Sequence, residues 1–364
     1  MSKDEAPNGV HERLASGAAW RDFCDRLKSA GDQILENAPE NDFDRAEGYR
    51  HLARLTAHFL RSGLDESDPA KAVLSTTSPK IGLDNPDYVY AGARLSPEFT
   101  YRLTGTLNDV AMLGIGLFSG ALGTPKGLVR DAYITTNDLD MDEATGHFEL
   151  LISREEQSGN WLQMGEGTNS LNIRQTILRR REQKPATLEL SRIDSVGPPA
   201  PLRPADLVQT LDRVGVMVPA IVGQFQGWRA SFQEHPFEIR EIDPKLLGVA
   251  QGDPNTTYHY SYWELQDDEI YTIELEPPAH FDYWNLQIGN HWLESFDFLH
   301  YDTHLNHETA TVDPDGKVRI HVAARDPKRA NWLDTAGHAR GALALRWVGA
   351  DKMPPQPITR VETQ

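Results

Sequence analysis

Between Arg325 and His338 the chain gathers Arg325, Asn331, Trp332, Asp334 and His338, the residue types of an acid–base centre. An aspartate can hold a histidine in one tautomer while the ring takes or gives a proton, and an arginine beside an asparagine can hold the oxygen anion that forms. On this reading His338 is the acid or base, Asp334 orients it, and Arg325 and Asn331 stabilise the anion. The same residues would serve equally as a braced corner, with Asn331 and Asp334 capping backbone groups and Trp332 plugging a core. Upstream, Tyr283, Trp284, Asn285, Trp292 and Glu294 interleave aromatic and polar tips. Such tips are costly to bury unless each finds a partner, so the segment lines either a substrate cavity or a polar core. In an extended strand Tyr283, Asn285 and Gln287 share one face, while Trp284 and Leu286 take the other. The run Asp84-Asn85-Pro86-Asp87 initiates a turn before a strand, and Asp84, Asn85 and Tyr90 would emerge at the strand mouth as further substrate contacts.

A second chemistry is written in His300-x-Asp302-x-His304. If Phe296 to His304 were extended, both imidazoles and the carboxylate would face one side, the donor set of a non-haem iron or catalytic zinc. The plainer meaning is a loop rich in histidine, and no cofactor is demanded; a divalent metal is the alternative. Gly-x-Ser-x-Gly does not occur, which argues against an ordinary α/β-hydrolase. Gly114, Gly116, Gly120 and Gly123 lack the spacing of a dinucleotide fingerprint. Carboxylate pairs such as Asp282 with Glu294 can be nominated for glycoside hydrolysis, but their separation is not legible in sequence.

The elements that would position these groups follow from periodicity. Residues 1 to about 9 read as a disordered terminus. Two amphipathic helices span about 11–36 and 43–62, broken at Pro39 and Asn41. Short alternating runs bounded by Gly, Pro, Asn and Asp then predict antiparallel strands at 88–95, 100–106, 110–118, 127–135, 147–153 and 172–179. Val196 to Pro204 reads as a linker. Leu207, Leu211, Val214, Met217, Ile221, Phe225, Trp228 and Phe232 step by three or four, the stripe of a helix over about 205–234, with Pro219 placed to kink or break it. A second strand series follows at 258–265, 269–276, 281–288, 308–313, 317–323 and 342–348, with Asp313-Pro314-Asp315-Gly316 as a hairpin turn. No βαβ alternation appears. The expected fold is α+β and mainly β: two antiparallel β-sandwich-like units, an N-terminal helical pair, and one long amphipathic helix between the units. The expected segments are 1–70 (helical), 71–200 (first β unit), 201–240 (connecting helix) and 241–364 (second β unit, carrying the candidate site).

A chain of 364 residues has ample material for more than one core, and its net charge is −18. Nucleic acid and anionic membrane surfaces would be repelled. An anionic substrate would need local arginines such as Arg174, Arg325 or Arg340 to focus it. The single cysteine, Cys24, permits no disulfide within the chain and reads as a structural thiol. The opening residues carry neither a secretory signal nor a membrane span, so a cytoplasmic location is expected. A homo-oligomer is compatible with all of this.

The chain resembles the bacterial family known as domain of unknown function 1214. The resemblance rests on Tyr283-Trp284-Asn285-Leu286-Gln287, the Asp313 turn, and Arg325-Asp326-Pro327 running into Asn331-Trp332-Leu333-Asp334-Thr335-Ala336-Gly337-His338. It extends upstream to Glu47-Gly48-Tyr49-Arg50 and Asp84-Asn85-Pro86-Asp87. It implies a β-rich fold with helical additions and a link to the breakdown of steroid-, terpenoid- or aromatic-like compounds, and it supplies no catalytic residue. The expected function is an enzyme acting on a mostly apolar small molecule by hydrolysis or lyase-type acid–base chemistry. The alternatives are a metal-dependent oxidoreductase using the histidine cluster and a non-catalytic binding protein for an apolar ligand.

Overall fold

The computed structural model describes residues 7–194, 201–243, 245–246 and 252–363. Three helices open it: α1 (Pro7–Ala15), α2 (Ala18–Asn37) and α3 (Asp42–Leu64). The first predicted helix is divided by Gly17, whose φ of 73° only glycine adopts freely. Asn41 caps α3 by accepting the Asp44 amide at 2.8 Å. Residues 1–6 of the expected disordered terminus lie outside the described residues, and Pro7–Gly9 belong to α1. Most of the expected linker, 196–200, also lies outside them.

The first β unit comprises β1 (Tyr88–Arg94), β2 (Tyr101–Thr106), β3 (Met112–Gly120), β4 (Leu128–Thr135), β5 (His147–Ser153), β6 (Trp161–Gln163), β7 (Ser170–Thr176) and β8 (Thr187–Arg192). They form two four-stranded sheets, ordered β1-β7-β3-β4 and β6-β5-β2-β8. Alternate residues point between the sheets, so Leu103, Ile115, Leu150 and Ile173 make one dry core.

Helix α4 (Pro204–Gln233) follows as a single helix, with Pro219 inside it. Of the kink or break expected at Pro219, the break does not occur. Val208, Leu211, Val214, Val218, Ile221 and Phe225 pack against α2, α3 and the second β unit, and that continuous apolar stripe holds the helix through the lost backbone donor.

The second unit comprises β9 (Arg240–Glu241), β10 (Thr256–Glu264), β11 (Glu269–Leu275), β12 (Tyr283–Gly289), β13 (His304–Asn306), β14 (Val318–Ala323), β15 (Trp332–Asp334), β16 (Arg340–Val348) and β17 (Ile358–Thr363). Their sheets run β13-β12-β16-β10-β9 and β15-β14-β11-β17. Trp284, Leu286, Ile320, Leu343 and Trp347 fill the space between them. The other face of the first of these sheets, with Tyr260, Tyr262, Ala342 and Ala344, lies against the helices. The architecture is therefore the expected one. The strand expected at 308–313 is absent, because Asn306 Oδ1 takes the Glu308 and Thr309 amides and closes a turn. Gly316 does end a turn, donating to Asp313 O at 2.9 Å with φ 81°.

Candidate functional site

Strand β7 turns Leu171 and Ile173 into the first core and leaves Asn172 and Arg174 on the outer face of its sheet. Tyr90 of β1 sits in register with Arg174, and Gly92 with Asn172. Gly114 and Gly116 of β3 carry no side chain there, which lets Tyr133 and Phe118 lie across the sheet. Opposite this face stand Tyr258 and Tyr260 of β10, Arg346 of β16, and Phe225 and Trp228 of α4. Together they line a cavity of about 280 Å³ between the two β units. A second cavity of about 230 Å³ adjoins it, shares Tyr90, Asn172 and Leu122, and reaches His58 and Phe59 on α3.

The polar groups of this wall fall into two kinds. Arg346 is fully engaged: Nη1 donates to Gln287 Oε1 at 2.7 Å, and Nη2 donates to the Leu83 carbonyl. Asp84 is engaged too, accepting the Ser295 amide at 2.9 Å and its hydroxyl at 2.8 Å. Burial raises the pKa of Asp84 in spite of Lys80 nearby. By contrast Arg174 Nη1, Asn172 Oδ1 and Trp228 Nε1 are enclosed and have no hydrogen-bond partner among the described residues. Each such group costs about 1–3 kcal/mol until something meets it. Burial lowers the pKa of Arg174, but Tyr258, Tyr90, Tyr133 and Asp253 outweigh it and keep the guanidinium charged. Tyr90 and Tyr260 are each pushed up to about 12, burial outweighing the pull of Arg346 on both. Tyr258 Oη accepts the Asp253 amide at 3.0 Å, which leaves its own proton for another acceptor. Asp253 in turn accepts from Tyr133.

The residues singled out by sequence do not share one hollow. Asp84 and Tyr90 line the inter-unit cavity. Asn85 lies beneath it in a closed knot, where Tyr283 donates to Asp87 at 2.6 Å and Asn285 donates to Asn85 at 2.7 Å. Trp284 packs on Trp347 in the second core and is no cavity wall. Trp292 is buried against α3, its Nε1 donating to the Asp44 carbonyl at 2.8 Å. Glu294 faces α3 as well, 3.1 Å from Arg54 and 3.3 Å from His51.

The residues of the expected acid–base set do not converge on one another. His338 is buried, with Nδ1 on the Thr335 carbonyl at 3.0 Å and Nε2 facing Glu47 at 3.4 Å. Asp334 instead accepts the Ala336 amide at 2.8 Å, an Asx turn that draws it away from the ring. Burial pushes the Glu47 carboxyl up, but hydrogen bonds from His338 and Asn290 and the charge of Arg50 hold it at about 2. Asn331, at φ 57°, braces backbone: it accepts the Thr311 amide at 2.7 Å and donates to the carbonyls of Thr311 and Arg319. Arg325 is exposed, with Asp267 at 4.0 Å. Trp332 donates to the Ala323 carbonyl at 3.0 Å and lines an outer cleft with Asn331.

The metal set separates likewise. Residues 298–301 turn, so the extended geometry it required is not formed. His300 lies on Asp297 at 2.9 Å, Asp302 on Arg181 at 2.9 Å, and His304 on Asp87 at 3.1 Å. Among the described residues no group of three or more His, Cys, Asp or Glu side chains is placed to hold a metal ion. No helix among them is long and apolar enough to cross a membrane. Asn172, Tyr258 and Trp228 were missed as site residues; alternation on Ser170–Thr176 and on Tyr258–Tyr262 was the available signal.

A family model for proteins of unknown function, domain of unknown function 1214, matches residues 259–352. The chain is also similar, at 38% identity and a TM-score of 0.92, to the crystal structure of an uncharacterized protein from Burkholderia cenocepacia, covering 97% of this chain and 98% of that one. A Vibrio parahaemolyticus protein aligns at 12% identity over 93% of this chain and 100% of its own, with a TM-score of 0.46. The comparison with curated proteins finds no match. The chain thus belongs to one family with the Burkholderia cenocepacia protein, and its residues 259–352 match the model of domain of unknown function 1214.

Proposed function

We propose that the protein takes a small molecule with an apolar body and an anionic oxygen into the inter-unit cavity and acts on it by acid–base chemistry of the lyase or hydrolase kind. One observation carries this reading: three enclosed polar atoms without partners, Arg174 Nη1, Asn172 Oδ1 and Trp228 Nε1, belong to side chains that line the same cavity. Arg174 and Trp228 donate and Asn172 Oδ1 accepts, so the complementary ligand carries a carboxylate or enolate oxygen together with a hydroxyl. Phe118, Leu122 and Phe225 receive the apolar body. Charge developing on a carbonyl or enolate oxygen is stabilised by Arg174; Tyr258 gives its proton to the departing oxygen, and the tyrosinate recovers one from the substrate carbon or from the attacking water. The cytoplasmic location and the homo-oligomer belong to this same proposal.

Plain binding without turnover is the second reading, and Asp84 favours it. It is the one carboxylate among the described residues lining the inter-unit cavity, and Ser295 already occupies it.

Calorimetric titration with aromatic hydroxy acids and their primary amides tests both. The acids bind and the amides do not, and Arg174→Met weakens the acids by about tenfold or more, equivalent to about 1.4 kcal/mol. Equal affinity for acid and amide would sink the proposal. Turnover of a bound acid that vanishes in Tyr258→Phe with affinity retained separates catalysis from binding.

A further inference from the structure

On the far side of the knot beneath the cavity lies the outer cleft, about 490 Å³, where Arg179, Arg180 and Arg181 of the first unit meet Phe298, His304 and Arg329 of the second. Glu182, Asp302 and Asp326 line it too, so four arginines meet three carboxylates, a slight local excess of positive charge in a chain of net charge −18. Three of its arginines are committed. Arg181 donates to Asp302 at 2.9 Å and to the carbonyls of Phe298 and Tyr301, Arg179 faces Glu308 at 3.7 Å, and Arg329 donates to Glu362. Arg180 is different. Half-buried, its guanidinium centred 6.0 Å from the Phe298 ring, it has neither a hydrogen bond nor an ion pair with any described residue, and its Nε is enclosed. Burial lowers its pKa, with only the more distant charge of Asp87 opposing.

His304 completes the arrangement. Its Nε2 is taken by Asp87 at 3.1 Å, a carboxylate that also accepts from Tyr283 and Asn306, so the ring is held from behind. Its Nδ1 is enclosed and has no partner among the described residues. A guanidinium fork, together with an imidazole whose unpartnered Nδ1 donates when both ring nitrogens carry protons, matches an oxyanion with several acceptor oxygens, and arginine pairs with phosphate through two parallel bonds.

We infer that this cleft binds a small phosphate-class oxyanion, with Arg180 as its principal contact and His304, oriented by Asp87, as its second. The site is separate from the inter-unit cavity and does not rest on the function proposed there.

Calorimetric titration of the full chain carrying Arg174→Met, which disables the inter-unit cavity as an anion site, with phenyl phosphate and with benzoate tests it. Phenyl phosphate binds one site per chain and more tightly than benzoate. In that background Arg180→Gln weakens it by about tenfold or more and His304→Asn weakens it less. Arg180→Lys, which keeps the charge and loses the fork, falls between the Arg174→Met parent and Arg180→Gln and gives a folded comparator. Failure of the Arg174→Met parent to bind phenyl phosphate overturns the inference, as does undiminished binding in Arg180→Gln. Benzoate binding as tightly as phenyl phosphate overturns the phosphate class.

Discussion

The loop Asp84–Asp87 and the wall formed by β7 and α4 both bring polar side chains deep between the two β units, and they do so to opposite ends. Around the loop the side chains of Asn85, Asp87 and Arg346 are answered: Asp87 accepts from Tyr283 and Asn306, Asn85 from Asn285, and Arg346 reaches Gln287 and the Leu83 carbonyl. On the wall, Arg174, Asn172 and Trp228 each keep an enclosed atom unanswered. The residue types are alike. What separates a brace from a receptor is whether the donors and acceptors cancel within the protein.

Four measurements would sharpen or break that contrast. Asp87→Ala leaves a buried hydroxyl, an amide and an imidazole without their acceptor, and should cost about 3–5 kcal/mol in the urea midpoint; a loss under about 1 kcal/mol would put the knot on the same footing as the wall. His291 belongs to the answered kind, its nitrogens lying 2.7 Å from the Tyr262 hydroxyl and 3.0 Å from the Asn37 carbonyl. Burial, then Arg229, lowers its pKa from 6.5 to about 3. The unfolded chain therefore takes up this proton first, so the His291 contribution is complete above pH 6.5 and is lost as pH falls towards 3. The slope is at most about 1.4 kcal/mol per pH unit. Glu47, held near 2 rather than 4.5, adds a loss in the same direction below pH 4.5. Chemical denaturation at successive pH values should show this slope, reduced in His291→Gln. Gly116→Ala drives a methyl group into Phe118 and Tyr133 and should cost about 1–3 kcal/mol. Arg174→Met, which removes an unanswered charge, should shift the unfolding midpoint by less than about 1 kcal/mol, in either direction. A large loss there would mean that Arg174 is a brace after all.

Periodicity carried much of this fold. The step of three and four from Leu207 to Phe232 gives α4, and alternation gives most of the strands. It fails where local side chains override it. Asn306 folds the expected strand at 308–313 into a turn, and β15 is only three residues, Trp332–Asp334, pairing in parallel with β14. The site was harder to see because alternation tells which residues share a face but not what that face meets. Asp334 lies four residues from His338, yet the partner of the ring is Glu47, which approaches from α3. Arg174 could be suspected as an anion-focusing charge, whereas its company of Tyr258, Trp228 and Arg346 comes from distant strands and a helix.

That company has a thermodynamic corollary. Because the hollow is walled by β1 and β7 from one half and by β10, β16 and α4 from the other, neither half alone can present it. An occupant would act as mortar, adding its affinity to the cohesion between the halves and drawing their melting into one cooperative event.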